Sequence, residues 1–142
     1  MLIKGSPIAK ERVKKILIIQ LGDIGDVVWA IPTFRAVKKF YDKAHLSLLL
    51  RGGMESLLAG DALIDSIFEV KGRATNFLNR IEEDITLIRM LRREKFDIVF
   101  DLRFDDRGAY MARITGAPVR VAQYSENLSW RNRFFTHLVK PP

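Results

Sequence analysis

Four times along this chain a short, nearly all-apolar run is followed by a segment whose apolar residues recur every three or four positions. The first pair is the clearest. Lys15-Ile-Leu-Ile-Ile-Gln20 is apolar on both alternating sets of side chains, as a strand buried on both faces must be. A Gly-rich turn, Leu21-Gly-Asp-Ile-Gly-Asp26, separates it from a helical pattern carried by Val27, Ile31, Phe34, Val37 and Tyr41. Pro32 falls inside that pattern and either kinks the helix or opens its main body as the first helical residue.

The second unit reads as a strand over 46–50 and a short helix near 54–58. The third reads as a strand over 66–70 and a longer helix over 80–93. Asn79 caps that helix in this reading, with Glu82 three residues on, Glu83 and Asp84 in the first turn, and a stripe of Ile81, Ile85, Ile88 and Leu91. The fourth has a strand over 96–102 and a helix over 107–115 stopped by Gly116 and Pro118, with a brief strand over 119–122 beyond it.

Strands alternating with helices demand parallel pairing and right-handed crossovers, so residues 14–142 are expected to form a Rossmann-like α/β domain with helices on both faces of the sheet. Residues 1–13, polar and basic with Pro7, read as a flexible arm. The tail over 126–142 is basic and aromatic, and Trp130, Phe134 and Phe135 are expected to pack on the sheet, or against a further domain, more than to touch a membrane. It reaches Pro141-Pro142 without a recognisable closing element, which reads as an incomplete domain.

Composition narrows the chemistry. The chain has 142 residues, 48% of them hydrophobic, enough for an ordinary core. It has no cysteine, which excludes disulfides, thiol catalysis and Cys-based zinc sites, and its two histidines, His45 and His137, suggest no metal cluster. No cofactor or metal is expected. No stretch approaches the ~18 apolar residues of a membrane span. The Asn127-Leu128-Ser129 sequon has no secretion signal to go with it, and the compartment expected is the cytoplasm. Lys and Arg number 24 against 17 Asp and Glu, a formal charge of +7 that favours anionic partners.

Ligands of an open parallel sheet bind beyond the carboxyl ends of its strands. The residues expected there are Gly22, Asp23, Gly25 and Asp26; then Arg51, Gly52 and Gly53; then Lys71, Gly72 and Arg73; then Asp101, Arg103, Asp105, Asp106 and Arg107. Carboxylates ringed by arginines suit the activation of a hydroxyl on a substrate whose anionic groups are held by guanidinium forks. Loops at strand ends are also polar simply because they are solvated. The G-x-x-G spacing is neither the dinucleotide fingerprint nor a P-loop. Asp26, at a helix N-terminus, has a plain capping role worth about 1 kcal/mol and also aims a carboxylate into the crevice.

The segment from Lys15 to Pro32, KILIIQLGDIGDVVWAIP, resembles the opening of the ADP-heptose:lipopolysaccharide heptosyltransferases, glycosyltransferase family 9. Residues 48–52, 62–65, 96–102, 113–118 and 132–137 follow in matching order. The resemblance implies the N-terminal, acceptor-binding half of a GT-B enzyme, in which a second domain, absent from this chain, binds the nucleotide sugar. It implies Asp26 as the catalytic base of an inverting, metal-free transfer of heptose from ADP-heptose to the lipopolysaccharide inner core. Gly25, Asp23, Arg51, Arg103 and Arg107 are the expected substrate-binding residues. A chain with the base but no donor site is expected to be inactive alone. A peripheral contact with the inner face of the cytoplasmic membrane and a homodimer are further partners this reading admits; nucleic acid is not among them.

Two positions depart from the family pattern. Gln20 stands where many relatives have Arg or Lys, and Asp101-Leu-Arg-Phe-Asp-Asp-Arg107 stands where relatives often read Asp-Leu-Gln-Gly. The competing reading is a stand-alone anion- or nucleotide-binding regulatory module. Asp23 and Asp26 would serve as the acid pair of a receiver-type module, but no Asp ends its third strand and no Lys its last. An NADP site using Arg51 would lack its glycine fingerprint.

Overall fold

A computed structural model describes residues 1–71 and 76–142 and carries the strand–helix rhythm through to its end. The elements are β1 (Leu2–Lys4), β2 (Lys15–Gln20), α1 (Ile24–Phe40), β3 (His45–Arg51), β4 (Ser66–Val70), α2 (Phe77–Glu94), β5 (Ile98–Asp101), α3 (Asp106–Ile114), β6 (Val119–Gln123), α4 (Ser129–Asn132) and β7 (His137–Val139). A single 3-10 turn, Glu55–Leu57, stands where the short second helix was expected.

Strand β2 shows why an all-apolar run can still be read as period two. Ile16 and Ile18 join Val27, Ala30 and Phe34 of α1 in one core, while Leu17 and Ile19 join Leu87 and Leu91 of α2 and Ala109 and Ala112 of α3 in the other. The sheet is the partition between two cores, so both faces of its central strands must be apolar.

Hydrogen bonding orders the strands β1-β7-β6-β5-β2-β3-β4, and only the β1–β7 pair is antiparallel. Counted from β2, the parallel strands stand in the doubly wound order 3-2-1-4-5-6 rather than the 2-1-3-4-5 of a receiver module.

Several expectations are corrected here. The segment read as a loose arm contains β1, and the tail read as lacking a closing element supplies β7, to which β1 pairs. These two strands close the edge together: Lys4 Nζ also donates to the Phe135 carbonyl at 2.8 Å. α1 begins three residues before Val27, and Pro32 lies within the continuous helix rather than opening it. α2 begins at Phe77, capped by Asn76, whose Oδ1 accepts the Leu78 N–H at 3.1 Å; Asn79 is inside the helix. Its buried side chains are Leu87 and Leu91, whereas Ile81 and Ile85 of the expected stripe are exposed. Of the tail aromatics, Phe135 is buried, and Trp130 and Phe134 pack edge-on at 5.9 Å with Tyr110 against both.

Candidate functional site

From β2 the chain turns to β3 on one side of the sheet, and from β5 it turns to β6 on the other. β2 and β5 are nevertheless hydrogen-bonded neighbours, in register from Ile16–Ile98 to Ile19–Asp101. The loops leaving their carboxyl ends diverge at the switch point, the place where a doubly wound sheet forms its ligand crevice. Residues 20–26 and 101–107 form its two lips.

On the first lip, Gln20 is buried and its Oε1 accepts the Gly22 N–H at 3.1 Å, so it closes the turn instead of offering a cation to the crevice. Asp23 takes the N-cap position of α1, which corrects the expectation that Asp26 is the cap. Asp26 is the third residue of the helix, and its Oδ2 reaches back to accept the Asp23 N–H at 3.1 Å. A carboxylate in a first helical turn meets unpaired N–H groups and the positive end of the helix dipole. The same Oδ2 accepts Arg103 Nη1 at 2.8 Å, while the Asp26 side chain keeps 51% of its surface exposed.

Arg103, on the second lip, is held at both ends. Its Nε donates to Asp105 Oδ2 at 2.7 Å, and Asp105 Oδ1 accepts the Gly108 N–H at 2.9 Å as the cap of α3. Its backbone N–H donates to Asp101 Oδ1 at 3.2 Å, and its carbonyl accepts Arg131 Nη2. The hydrogen bond to Asp105, and then the charges of both carboxylates, push the Arg103 guanidinium further up from its ordinary value.

Beneath the lips lies a charge pair that sequence reading missed. Arg131 Nη2 donates to Asp101 Oδ2 at 2.6 Å, and neither side chain touches solvent. Arg131 also donates to the Asp105 carbonyl at 3.1 Å and the Gln123 carbonyl at 3.3 Å, and lies over the Phe135 ring at 4.7 Å. One buried guanidinium thereby ties β5, β6 and the second lip together. Burial pushes Asp101 up to about 6 even though Arg131 pulls the other way.

Other expected residues are placed as follows. Arg51 Nη1 pairs with Asp23 Oδ1 at 2.6 Å, both largely exposed. Arg107 is exposed on the first turn of α3 and forms no ion pair among the described residues. Gly25 is open: a Cβ built there meets nothing within 4 Å. Lys71 is exposed past the end of β4, while Gly72 and Arg73 lie outside the described residues. A cavity of about 690 Å³ between β4 and α2 is lined by Glu55, Glu69, Glu82, Glu83 and Asp84, and of the residues expected at the strand ends it takes in only Lys71 among those described. Its acids repel the anions that the switch-point arginines attract.

No family model matches the chain. In sequence it is similar to lipopolysaccharide heptosyltransferase 3 of Escherichia coli, 27% identical over 118 residues, which cover 81% of this chain and 34% of that protein. The protein of the same description from strain K12 is 23% identical, with 34% of its length covered. The chain thus spans about a third of the length of the curated relatives it matches. In structure it is similar to a glycosyl transferase family 9 protein from Veillonella parvula, with a TM-score of 0.75 at 23% identity over 96% of this chain and 38% of that one. It is also similar to an E. coli heptosyltransferase solved with ADP-2-deoxy-2-fluoro heptose, with a TM-score of 0.76 at 16% identity over 89% of this chain and 42% of that one.

Proposed function

We propose, from this similarity to the heptosyltransferases of glycosyltransferase family 9, that the chain is the acceptor-binding half of an inverting glycosyltransferase of heptosyltransferase type. The observation that carries the reading is the half-exposed Asp26 carboxylate, fixed at the switch point of the sheet by Arg103. In this reading Asp26 takes the proton of an acceptor hydroxyl as its oxygen attacks the anomeric carbon. The bond from that carbon to the diphosphate breaks, and the leaving group departs with the electron pair. General-base catalysis of this kind contributes about 10²–10⁴ in rate.

The acceptor is the anionic, lipid-linked inner core of lipopolysaccharide. Arg51 and Arg107, with Asp23 and Gly25 beside the base, meet its charged and hydroxyl groups. Ile24, Val28 and Trp29 stand exposed on the first two turns of α1 and give the crevice an apolar rim suited to such an acceptor. No helix of the described residues is long and apolar enough to cross a membrane, so contact with the inner face of the cytoplasmic membrane would be peripheral. The donor, ADP-heptose, is bound by a second domain outside these 142 residues. Transfer depends on bringing the two substrates together, so this chain alone is expected to bind but not to turn over.

The test is heptose transfer to inner-core acceptor by the 142-residue chain and by the form encoded with its downstream sequence, each with and without Asp26→Ala. Activity only in the longer form, abolished by Asp26→Ala, is the expected result. Turnover by the short chain would overturn the assignment of the donor site elsewhere. Acceptor binding without transfer in either form would move the weight to an anion-binding module.

A further inference from the structure

Asp26 has two carboxylate oxygens, and the structure treats them differently. Oδ2 accepts both the Asp23 N–H at 3.1 Å and Arg103 Nη1 at 2.8 Å, while Oδ1 accepts no hydrogen bond from the described residues. The guanidinium that holds Oδ2 is itself anchored, through Nε, to the Asp105 cap of α3. The backbone leaves room for this arrangement. A Cβ at Gly22 would lie 2.3 Å from Asp26 Oδ2 and 2.4 Å from Arg103 Nη1. Two loops from different strands are therefore joined through a single Asp26–Arg103–Asp105 chain of charges.

We propose that Arg103, braced by Asp105, is a positioning residue that holds Asp26 by Oδ2 and leaves Oδ1 to receive the acceptor's proton. This rests on the reading of Asp26 as the base, and it assigns Arg103 a task other than gripping the acceptor. A planar guanidinium that gives Nε to one carboxylate and Nη1 to another fixes direction as well as charge, which an ammonium cannot reproduce. The proton passes from the acceptor hydroxyl to Oδ1. Oδ2 keeps its two donors throughout, so the carboxylate does not rotate during transfer. Misplacing a reacting group by about 1 Å can cost on the order of 100-fold in rate.

Two measurements test this, and they fail separately. In the transferring form, Arg103→Gln is expected to lower kcat by roughly 10- to 100-fold with acceptor KM within about twofold. Arg103→Lys should restore only part of that loss, and Arg107→Gln should instead raise acceptor KM. A raised KM with unchanged kcat in Arg103→Gln would make Arg103 an acceptor ligand and overturn the proposal. The second measurement needs no turnover. Nitrogen NMR of the 142-residue chain should show separate, slowly exchanging Nη1 and Nη2 signals for Arg103 that coalesce in Asp26→Ala and in Asp105→Ala. Signals already averaged in the parent would overturn the holding role even if transfer is confirmed. Absence of transfer by the parent longer form would instead remove the function, and the proton route with it.

Discussion

Arg131 and Asp101 stand 30 positions apart in sequence and meet at 2.6 Å with no solvent on either side chain. Removing one partner of such a pair leaves a buried charge uncompensated, which costs about 3–5 kcal/mol. Arg131→Leu should lose that much and also strand the carbonyls of Gln123, Arg103 and Asp105 that Arg131 now satisfies. Domain stability is only ~5–15 kcal/mol, so the urea midpoint should fall sharply at neutral pH. A midpoint within error of the parent would show that the pair does not hold the β5 and β6 ends together.

The same pair gives the protein a pH dependence of definite sign. Asp101 is raised to about 6 by burial, against about 3.9 for a solvated Asp, so the folded chain holds this proton more tightly than the unfolded chain. The contribution is therefore greatest below about pH 4 and is lost as pH rises to about 6, amounting to at most about 3 kcal/mol. Asp101→Asn, which still offers Arg131 an oxygen, should flatten that decline. Urea midpoints at several pH values in both proteins decide it, and parallel profiles would reject the assignment.

How much of this was legible in the sequence depended on how local the determining contact is. Strand β2 and the turn after it could be read directly, because an apolar β-branched run followed by a Gly-Asp turn and a helical period needs no distant partner to be recognised. Arg131 could not. It sits among Trp130, Arg133 and Phe134 in a basic aromatic tail where charged residues are ordinarily solvated, and its burial is decided by an aspartate on another strand. The three-residue strands β1 and β7 were missed for a related reason: β1 is exposed, and its pairing spans nearly the whole chain. In α2, apolar residues occupy much of the circumference, so periodicity alone did not separate the buried Leu87 and Leu91 from the exposed Ile81 and Ile85. The switch-point loops were legible as a group because strand ends converge there in any doubly wound sheet. Which arginine meets which carboxylate was not, since that depends on the register of β5 against β2.

Ser47 is an uncompensated polar group in the middle of β3. Its side chain is fully buried, and its Oγ has no hydrogen-bond partner among the described residues. A buried hydroxyl without a partner costs about 1–3 kcal/mol. Ser47→Ala should therefore raise stability by roughly 1 kcal/mol after allowance for the small loss of packing. Thermal denaturation checks this, and a lowered Tm would mean that the hydroxyl has a partner, such as a bound water.

Gly22 and Gly25 share the loop that leads into α1, yet they should respond in opposite ways to the same substitution. At Gly22 a Cβ would lie 2.5 Å from Asp26 Cβ as well as against the Asp26–Arg103 contact, so Gly22→Ala must push the Asp26 carboxylate off its anchor. At Gly25 a Cβ meets nothing, and the position is already inside the helix, where alanine is favoured over glycine by about 0.5–1 kcal/mol. Gly22→Ala should lower both the unfolding midpoint and transfer. Gly25→Ala should leave the midpoint unchanged or slightly higher. If the acceptor approaches the backbone at Gly25, the added methyl should nonetheless raise acceptor KM in the transferring form. Equal losses of stability in the two variants would mean that the loop is not held as described. Unchanged transfer in Gly22→Ala would mean that the Arg103 contact does not set the position of Asp26.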